Sequence, residues 1–336
     1  MEQRRLGTSG LRVSRLALGT MSWGQDTDPD EAGASLLAFL DAGGTLIDTA
    51  DVYGGGEAER ILGGLFADVI PRSEVVLATK AGAPREDGPF GGGASRSALL
   101  AALDASLDRM GTDYVDLWQL HAWDDDVPLE ETLAAVDVAL TTGRARYAGV
   151  ANYAGWQVAA AAVRQTWRSV PLVSVQSEYS LVERSVETEV LPAAQYHGLG
   201  LLPWAPLGRG VLTGKYRDGT PADSRGASEH LADYVGRHRT DRSARIVQAV
   251  VTAAHGLGTS PLAVALAWVR DRPGVCAPVI GARDGAQLLG SLAAEEIVLP
   301  PAIRGALDDV SSGAVWGVGD DLFGDEPGPD DPEPWA

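Results

Sequence analysis

Residues 43–57 read GGTLIDTADVYGGGE, and their reading decides the fold. A short apolar run ends on Asp48, Tyr53 follows on the next loop, and three glycines come directly after it. An apolar run without strict alternation marks a strand buried on both faces, as in a parallel sheet covered by helices. Similar runs recur at 15–19 (RLALG), 75–80 (VVLATK), 114–121 (YVDLWQLH), 146–152 (RYAGVAN), 172–180 (LVSVQSEYS), 200–206 (GLLPWAP) and 275–282 (VCAPVIGA), with 45–50 (TLIDTA) second in order. Helical patterns lie between them, clearest at 29–43, 95–111, 128–143 and 154–167. Ser95 and Pro128 suit helix starts, and Gly111 and Gly143 suit helix stops. Strands that alternate with helices predict an α/β fold, a (β/α)8 TIM barrel rather than an open doubly wound sheet. The first turn, LGTMSWG, also lacks the G-x-G-x-x-G of a dinucleotide-binding open sheet.

The N-terminal segment RRLGTSGLRVSR has a Gly-containing turn between two short runs and predicts a hairpin that closes the barrel bottom. Residues 207–243, rich in Gly and Arg, read as a long loop, which in a compact domain is usually functional or mobile. The 336-residue chain is read as one barrel domain over 1–315, followed by an acidic Pro/Gly-rich tail over 316–336 that is expected to be mobile.

A net charge of −19 argues against nucleic acid as a partner, because phosphate binding needs a basic surface. The single cysteine, Cys276, forms no internal disulfide, and no metal cluster is evident. The start of the chain has no apolar signal-peptide core, and no run is long enough to span a bilayer, so no membrane partner is expected. With a single cysteine, a reducing, cytoplasmic setting is expected. The composition leaves the oligomeric state open.

Barrels of this class collect catalytic residues where strands end at the C-terminal face. The second strand ends at Asp48, the third at Lys80 and the fourth at His121, with Tyr53 on the loop past the second. Singly, each has an ordinary explanation as a solvated end, a packed ring or amphipathic cover. Their coincidence on neighbouring strands is what suggests a site. A phenol with a pKa of about 10 is a poor acid at neutral pH. A nearby ammonium favours the phenolate and brings that value down, and a buried carboxylate holds the ammonium in place. Tyr53 would then donate a proton to a carbonyl oxygen while His121 hydrogen-bonds the same oxygen. Such a set supplies no hydride, so a cofactor must.

These residues, with the motifs GTLIDTADVYGGGEAERILG and LWQLHAWD, resemble the aldo-keto reductases from about residue 3 to residue 300. The resemblance is close to the branch that includes potassium-channel β subunits. It implies a barrel that uses NADPH in preference to NADH, with the tetrad Asp48, Tyr53, Lys80 and His121. It places Thr20 and Met21 in the first cofactor turn. Asn152 in GVANY and Gln176 in VQSEYS would meet the nicotinamide carboxamide, and Trp204 would stack on the ring. Where many relatives have Ser before that Asn, this chain has Ala151. In PWAPLGRGVLTGKY, Ala205, Leu207, Gly208 and Gly210 would bring backbone to the pyrophosphate, with Lys215 adding charge. In VIGARDGAQLLGS, Gly281, Arg283, Gln287 and Ser291 fall at the adenosine half, Arg283 being the candidate partner of a 2′-phosphate. The family often has Asn at the position of Ser291 and an acid at that of Gly290.

Trp23 and Trp123 are candidates for pocket walls or for rim packing, and Phe90 sits on a Gly-rich loop after Lys80 that could move over the site. Nothing evident would bind a carboxylate or phosphate on a substrate, which suggests a neutral small-molecule aldehyde, ketone or sugar-like carbonyl compound. The implied activity is NADPH-dependent reduction of an aldehyde or ketone. Two alternatives stand beside it: an NADP-dependent dehydrogenase of sugars or secondary alcohols, and a cofactor-binding regulatory subunit without a metabolic role.

Overall fold

In the computed structural model, residues 1–83, 93–168, 170–228 and 231–312 are described. Two short antiparallel strands come first, β1 (Gln3–Arg5) and β2 (Arg12–Ser14). Eight parallel strands follow: β3 (Ala17–Gly19), β4 (Leu46–Asp48), β5 (Val76–Ala81), β6 (Val115–Leu120), β7 (Ala145–Ala151), β8 (Ser174–Glu178), β9 (Gly200–Trp204) and β10 (Val279–Gly281). They pair in the order β10-β3-β4-β5-β6-β7-β8-β9. A single bridge, Leu201 with Val275, closes the circle, supported by the Cys276 N–H donating to the Leu201 carbonyl at 2.9 Å. The fold is therefore the (β/α)8 barrel that the alternation of runs implies.

The last strand is shorter than the run 275–282 suggests. Pro278 has no N–H to give the ladder. The chain pairs with β9 before the proline and with β3 after it, where the Ala17 N–H donates to the Pro278 carbonyl at 2.9 Å.

Local chemistry sets the helix ends. The Ser95 side chain accepts from the Ala98 N–H at the start of helix Arg96–Met110, and Gly111 ends it at φ 61. Pro128 stands just before helix Leu129–Thr141.

The hairpin plugs the N-terminal mouth. Leu6 and Val13 are fully buried in one cluster with Ala17, Leu46, Ala78, Leu117 and Leu202, which belong to five barrel strands. Burying a leucine contributes about 2–3 kcal/mol. Gly7 sits at φ +58, and a Cβ there would come within 2.3 Å of the Gly198 carbonyl oxygen, so only glycine lets the hairpin approach this closely. With the bottom closed, the open end of the barrel is the C-terminal face.

Two of the sequence readings, Phe90 and the tail 316–336, lie outside the described residues. Among the described residues, no single helix is long and apolar enough to cross a membrane.

Candidate active site

The parallel register places polar side chains on successive strands. Asp48 ends β4, Lys80 lies one residue from the end of β5, and His121 directly follows β6. Lys80 Nζ donates to Asp48 Oδ2 at 2.7 Å, to the Thr49 carbonyl at 2.9 Å and to the Tyr53 hydroxyl at 3.4 Å. An ammonium has three N–H donors, so all are engaged. The second Asp48 oxygen accepts from Gln176 Nε2 at 2.8 Å and, more weakly, from Gln119 Nε2 at 3.5 Å. Asp48 and Lys80 are both buried, where an ion pair survives only with its remaining valences satisfied.

Burial alone would lower the pKa of Lys80, but the Asp48 carboxylate and Tyr53 outweigh it and raise it above the ordinary lysine value. For Tyr53 the sequence-based expectation is corrected. Burial of the phenol raises its pKa, and the Lys80 ammonium opposes this without overcoming it. Tyr53 therefore stays protonated well past neutral pH. The half-buried Tyr53 ring stands edge-on to His121, with 6.2 Å between centroids. Burial first, and the Lys80 charge second, lower the His121 pKa to about 3, so the imidazole is neutral. Its Nδ1 is buried without a hydrogen-bond partner.

The turn that carries Tyr53 has support that the sequence reading missed. Gly54, Gly55 and Gly56 all take positive φ, at 58, 64 and 91°. A Cβ on Gly56 would meet Arg109 Nε at 2.8 Å. Arg109 pairs with the fully buried Glu59 at 2.7 Å, and Glu59 accepts from Thr79 Oγ1 at 2.6 Å. Thr79 precedes Lys80 in the chain, so Glu59 ties the helix after Tyr53 to the strand that holds the lysine. A glutamate three residues before Leu62, on the apolar face of the helix, was the available signal.

Above this floor opens a cavity of about 520 Å³. Asp48, Tyr53 and His121 line one end, while Lys80 lies buried behind them. Asn152, Gln176 and Trp204 line the adjoining wall. Asn152 Nδ2 donates to the His121 carbonyl at 2.9 Å, and Asn152 Oδ1 accepts from Trp204 Nε1 at 2.9 Å. Much of this wall is thus bound within the protein, the Gln176 amide holding Asp48. Met21, Ala205, Leu207, Gly210 and Lys215 line the cavity further along. Gly281 ends β10, and Arg283, Gln287 and Ser291 lie on the turn and helix after it, all lining the cavity.

Two candidates stand back from the cavity. Thr20 is fully buried, its hydroxyl donating to the Asp48 carbonyl at 3.3 Å. Gly208, at φ 56, packs on Val182. Ser291 also lines the cavity, and its hydroxyl donates to the Gln287 carbonyl within its own helix.

The expected aromatic walls take other positions. Trp23 is fully buried in the core and does not line the cavity; large apolar area wins over exposure at the rim. Trp123 packs edge-on against Tyr153 and Trp156, at 5.3 and 5.2 Å, outside the cavity lining.

Backbone strain marks the same cavity. Among the described residues the non-glycine positions with positive φ are Asn152 (58°), Ala205 (48°) and Arg209 (58°), and all three line it. Each costs about 1–2 kcal/mol, and such strain gathers at ligand sites.

The long loop folds over this cavity and contributes residues that the sequence reading did not single out. Arg209 grips Glu178 through both carboxylate oxygens, at 2.9 and 2.5 Å. His238 meets the same carboxylate at 2.8 Å. Burial would raise the Glu178 pKa, but hydrogen bonds from His238 and Arg209 outweigh it and hold the group below the usual carboxylate value. Asp223, Ser224, Arg225 and Tyr234 complete the roof, and Arg283 donates to the Asp223 carbonyl at 2.5 Å. The cations Lys215, Arg225 and Arg283 have no carboxylate partner among the described residues. Nor do those residues hold a group of three metal-ligating side chains.

The model of the Aldo/keto reductase family matches residues 15–311. An uncharacterized oxidoreductase of Bacillus subtilis, YrpG, is 39% identical over 323 residues, covering 93% of this chain and 97% of its own. A probable voltage-gated potassium channel subunit beta of Oryza sativa is 38% identical, covering 89% and 92%. The L-glyceraldehyde 3-phosphate reductase of Escherichia coli K12 is 34% identical, covering 86% of each.

Proposed function

The chain belongs to the aldo/keto reductase family, and on that premise we propose that it reduces an aldehyde or ketone to the alcohol with NADPH. The observation that carries this reading is the Lys80 ammonium held between a buried carboxylate and a phenol on the cavity floor. When bound, the reduced nicotinamide supplies the hydride, which no side chain can.

The residues present fit such a cofactor. Three cations without carboxylate partners among the described residues stand along the cavity of a chain whose net charge is −19, and Arg283 offers a planar fork suited to a phosphate monoester. Trp204, Asn152 and Gln176 form the wall next to the tetrad, where the nicotinamide end would lie.

Tyr53 carries the proton that the carbonyl oxygen takes up as it becomes an alkoxide. Lys80, charged and immobile, stabilises the phenolate left behind. Asp48 touches no substrate; it fixes Lys80, and Gln176 fixes Asp48. His121 is neutral, and its buried, unpartnered Nδ1 favours the proton on Nε2, since an orphaned N–H is rarer than an under-used acceptor. Nε2 then donates to the same oxygen.

The Tyr53→Phe variant should lose about 10²- to 10⁴-fold in turnover of 4-nitrobenzaldehyde with NADPH, with cofactor affinity unchanged in a fluorescence titration. Unchanged turnover would remove Tyr53 from the role of proton donor.

The likeness to probable channel β subunits supports a second reading, a cofactor-binding regulatory subunit. Binding of NADPH without turnover of any aldehyde, and without oxidation of sugars or secondary alcohols by NADP⁺, would favour it.

A further inference from the structure

Tyr234 lines the cavity with Tyr53 and His121, yet it comes from no strand end. It sits in the short helix Ala232–Gly236 of the segment that roofs the barrel. Arg209 fixes its position. The guanidinium lies 3.8 Å from the centre of the Tyr234 ring and donates to the Tyr234 carbonyl at 2.8 Å. Two more of its donors, on Nε and Nη2, go to Glu178, which His238 holds from the other side.

Ring and backbone of Tyr234 are therefore clamped, whereas its hydroxyl has no hydrogen-bond partner among the described residues. Nor is that oxygen one of the buried, unpartnered atoms, so it is accessible on a residue that lines the cavity. Burial raises the pKa of this phenol, and the field of Tyr53 is one of those that reach it. At neutral pH it is an uncharged group able both to donate and to accept. Arg209 does not offer an anion site here, because Glu178 already neutralises it.

We propose that Tyr234 is a specificity-determining residue whose hydroxyl binds an oxygen substituent beside the reacting carbonyl, so that α-hydroxy aldehydes and ketones are favoured over their unsubstituted counterparts. The inference rests on the carbonyl-reductase reading. A polar group placed to bind a substrate hydroxyl discriminates against the analogue that lacks it, because it is then left unpaired.

The test compares matched substrates that differ by one oxygen, 2-hydroxypropanal against propanal and glycolaldehyde against acetaldehyde, with NADPH. For Tyr234→Phe, the ratio of kcat/KM values, hydroxylated over plain, should fall about tenfold, the size of one lost hydrogen bond. The fall should come mainly through KM of the hydroxylated member. Propanal turnover, melting temperature and the NADPH Kd from tryptophan fluorescence should stay as in the parent. Tyr234→Leu, which also removes the ring, should lower the ratio at least as far. An unchanged ratio in both variants, or an equal loss on both members of each pair, would overturn the role of Tyr234 while leaving the reductase reading intact. If the parent reduces 4-nitrobenzaldehyde but none of the four, the role of Tyr234 falls alone; if it reduces none of the five, both readings fall together.

Discussion

The two ends of the cavity are built on different principles. At the floor, each donor of Lys80 and both oxygens of Asp48 have partners inside the protein. At the far end, Lys215, Arg225 and Arg283 have no carboxylate partners among the described residues, and the backbone nearby is strained at Ala205 and Arg209. The floor is finished by the fold itself. On the proposed reading the far end is left for an anionic ligand to finish, and its stability cost is carried until that ligand binds. Substitutions at the floor should therefore act on folding and chemistry together, whereas those at the far end should act on binding alone.

The largest expected effect breaks the floor. Lys80→Met leaves Asp48 buried without its counter-charge, which costs about 3–5 kcal/mol. Urea unfolding should show that loss, and turnover should disappear with it. Adding Asp48→Asn should recover part of the stability but none of the activity. A Lys80→Met protein as stable as its parent would show that the pair is not the buried unit described.

Acid should expose the same end. The unfolded His121 titrates at about 6.5, whereas its folded pKa is about 3. The unfolded state thus binds the extra proton first, and stability falls as pH drops from about 6.5 towards 3. The slope from this group is at most about 1.4 kcal/mol per pH unit. A His121→Asn variant should lose less melting temperature than the parent between pH 6.5 and 5, and parallel curves would contradict the assignment.

At the far end, Arg283→Ala should weaken NADPH by about tenfold or more, the value of a charged hydrogen bond. NADH affinity and melting temperature should scarcely move. Equal losses for both cofactors would mean that Arg283 does not meet the 2′-phosphate.

The same division explains how much could be read without coordinates. Asp48, Lys80 and His121 were legible because each terminates an apolar run, and the strand period fixes which residue reaches the rim. Glu59, Arg109 and Gln119 were not, because a polar residue inside a helix or strand does not reveal its partner. The roof was harder still. Arg209 and His238 converge on Glu178, with Tyr234 against the Arg209 guanidinium, from a segment with no hydrophobic period, and turns such as Arg209 at φ 58 follow from tertiary contacts rather than local preference. Trp23 shows the opposite error: its place in the first turn suggested the rim, but packing drew the indole into the core.

The smallest effect addresses the strain directly. Ala205 sits at φ 48 between Trp204, on the floor side, and the loop that leads to the cations. A side chain in that conformation costs about 1–2 kcal/mol, and glycine gives back part of the gain through the greater freedom of the unfolded chain. Ala205→Gly should therefore stabilise the free protein by no more than about 1 kcal/mol, or roughly 2 °C in Tm for a chain this long. If the strained turn is held ready for the pyrophosphate, the same substitution should weaken NADPH slightly, because a freer backbone must be ordered on binding. A gain in stability with unchanged NADPH affinity would separate the two properties, and the strain at Ala205 would then be a by-product of chain reversal after β9 rather than part of the cofactor cradle.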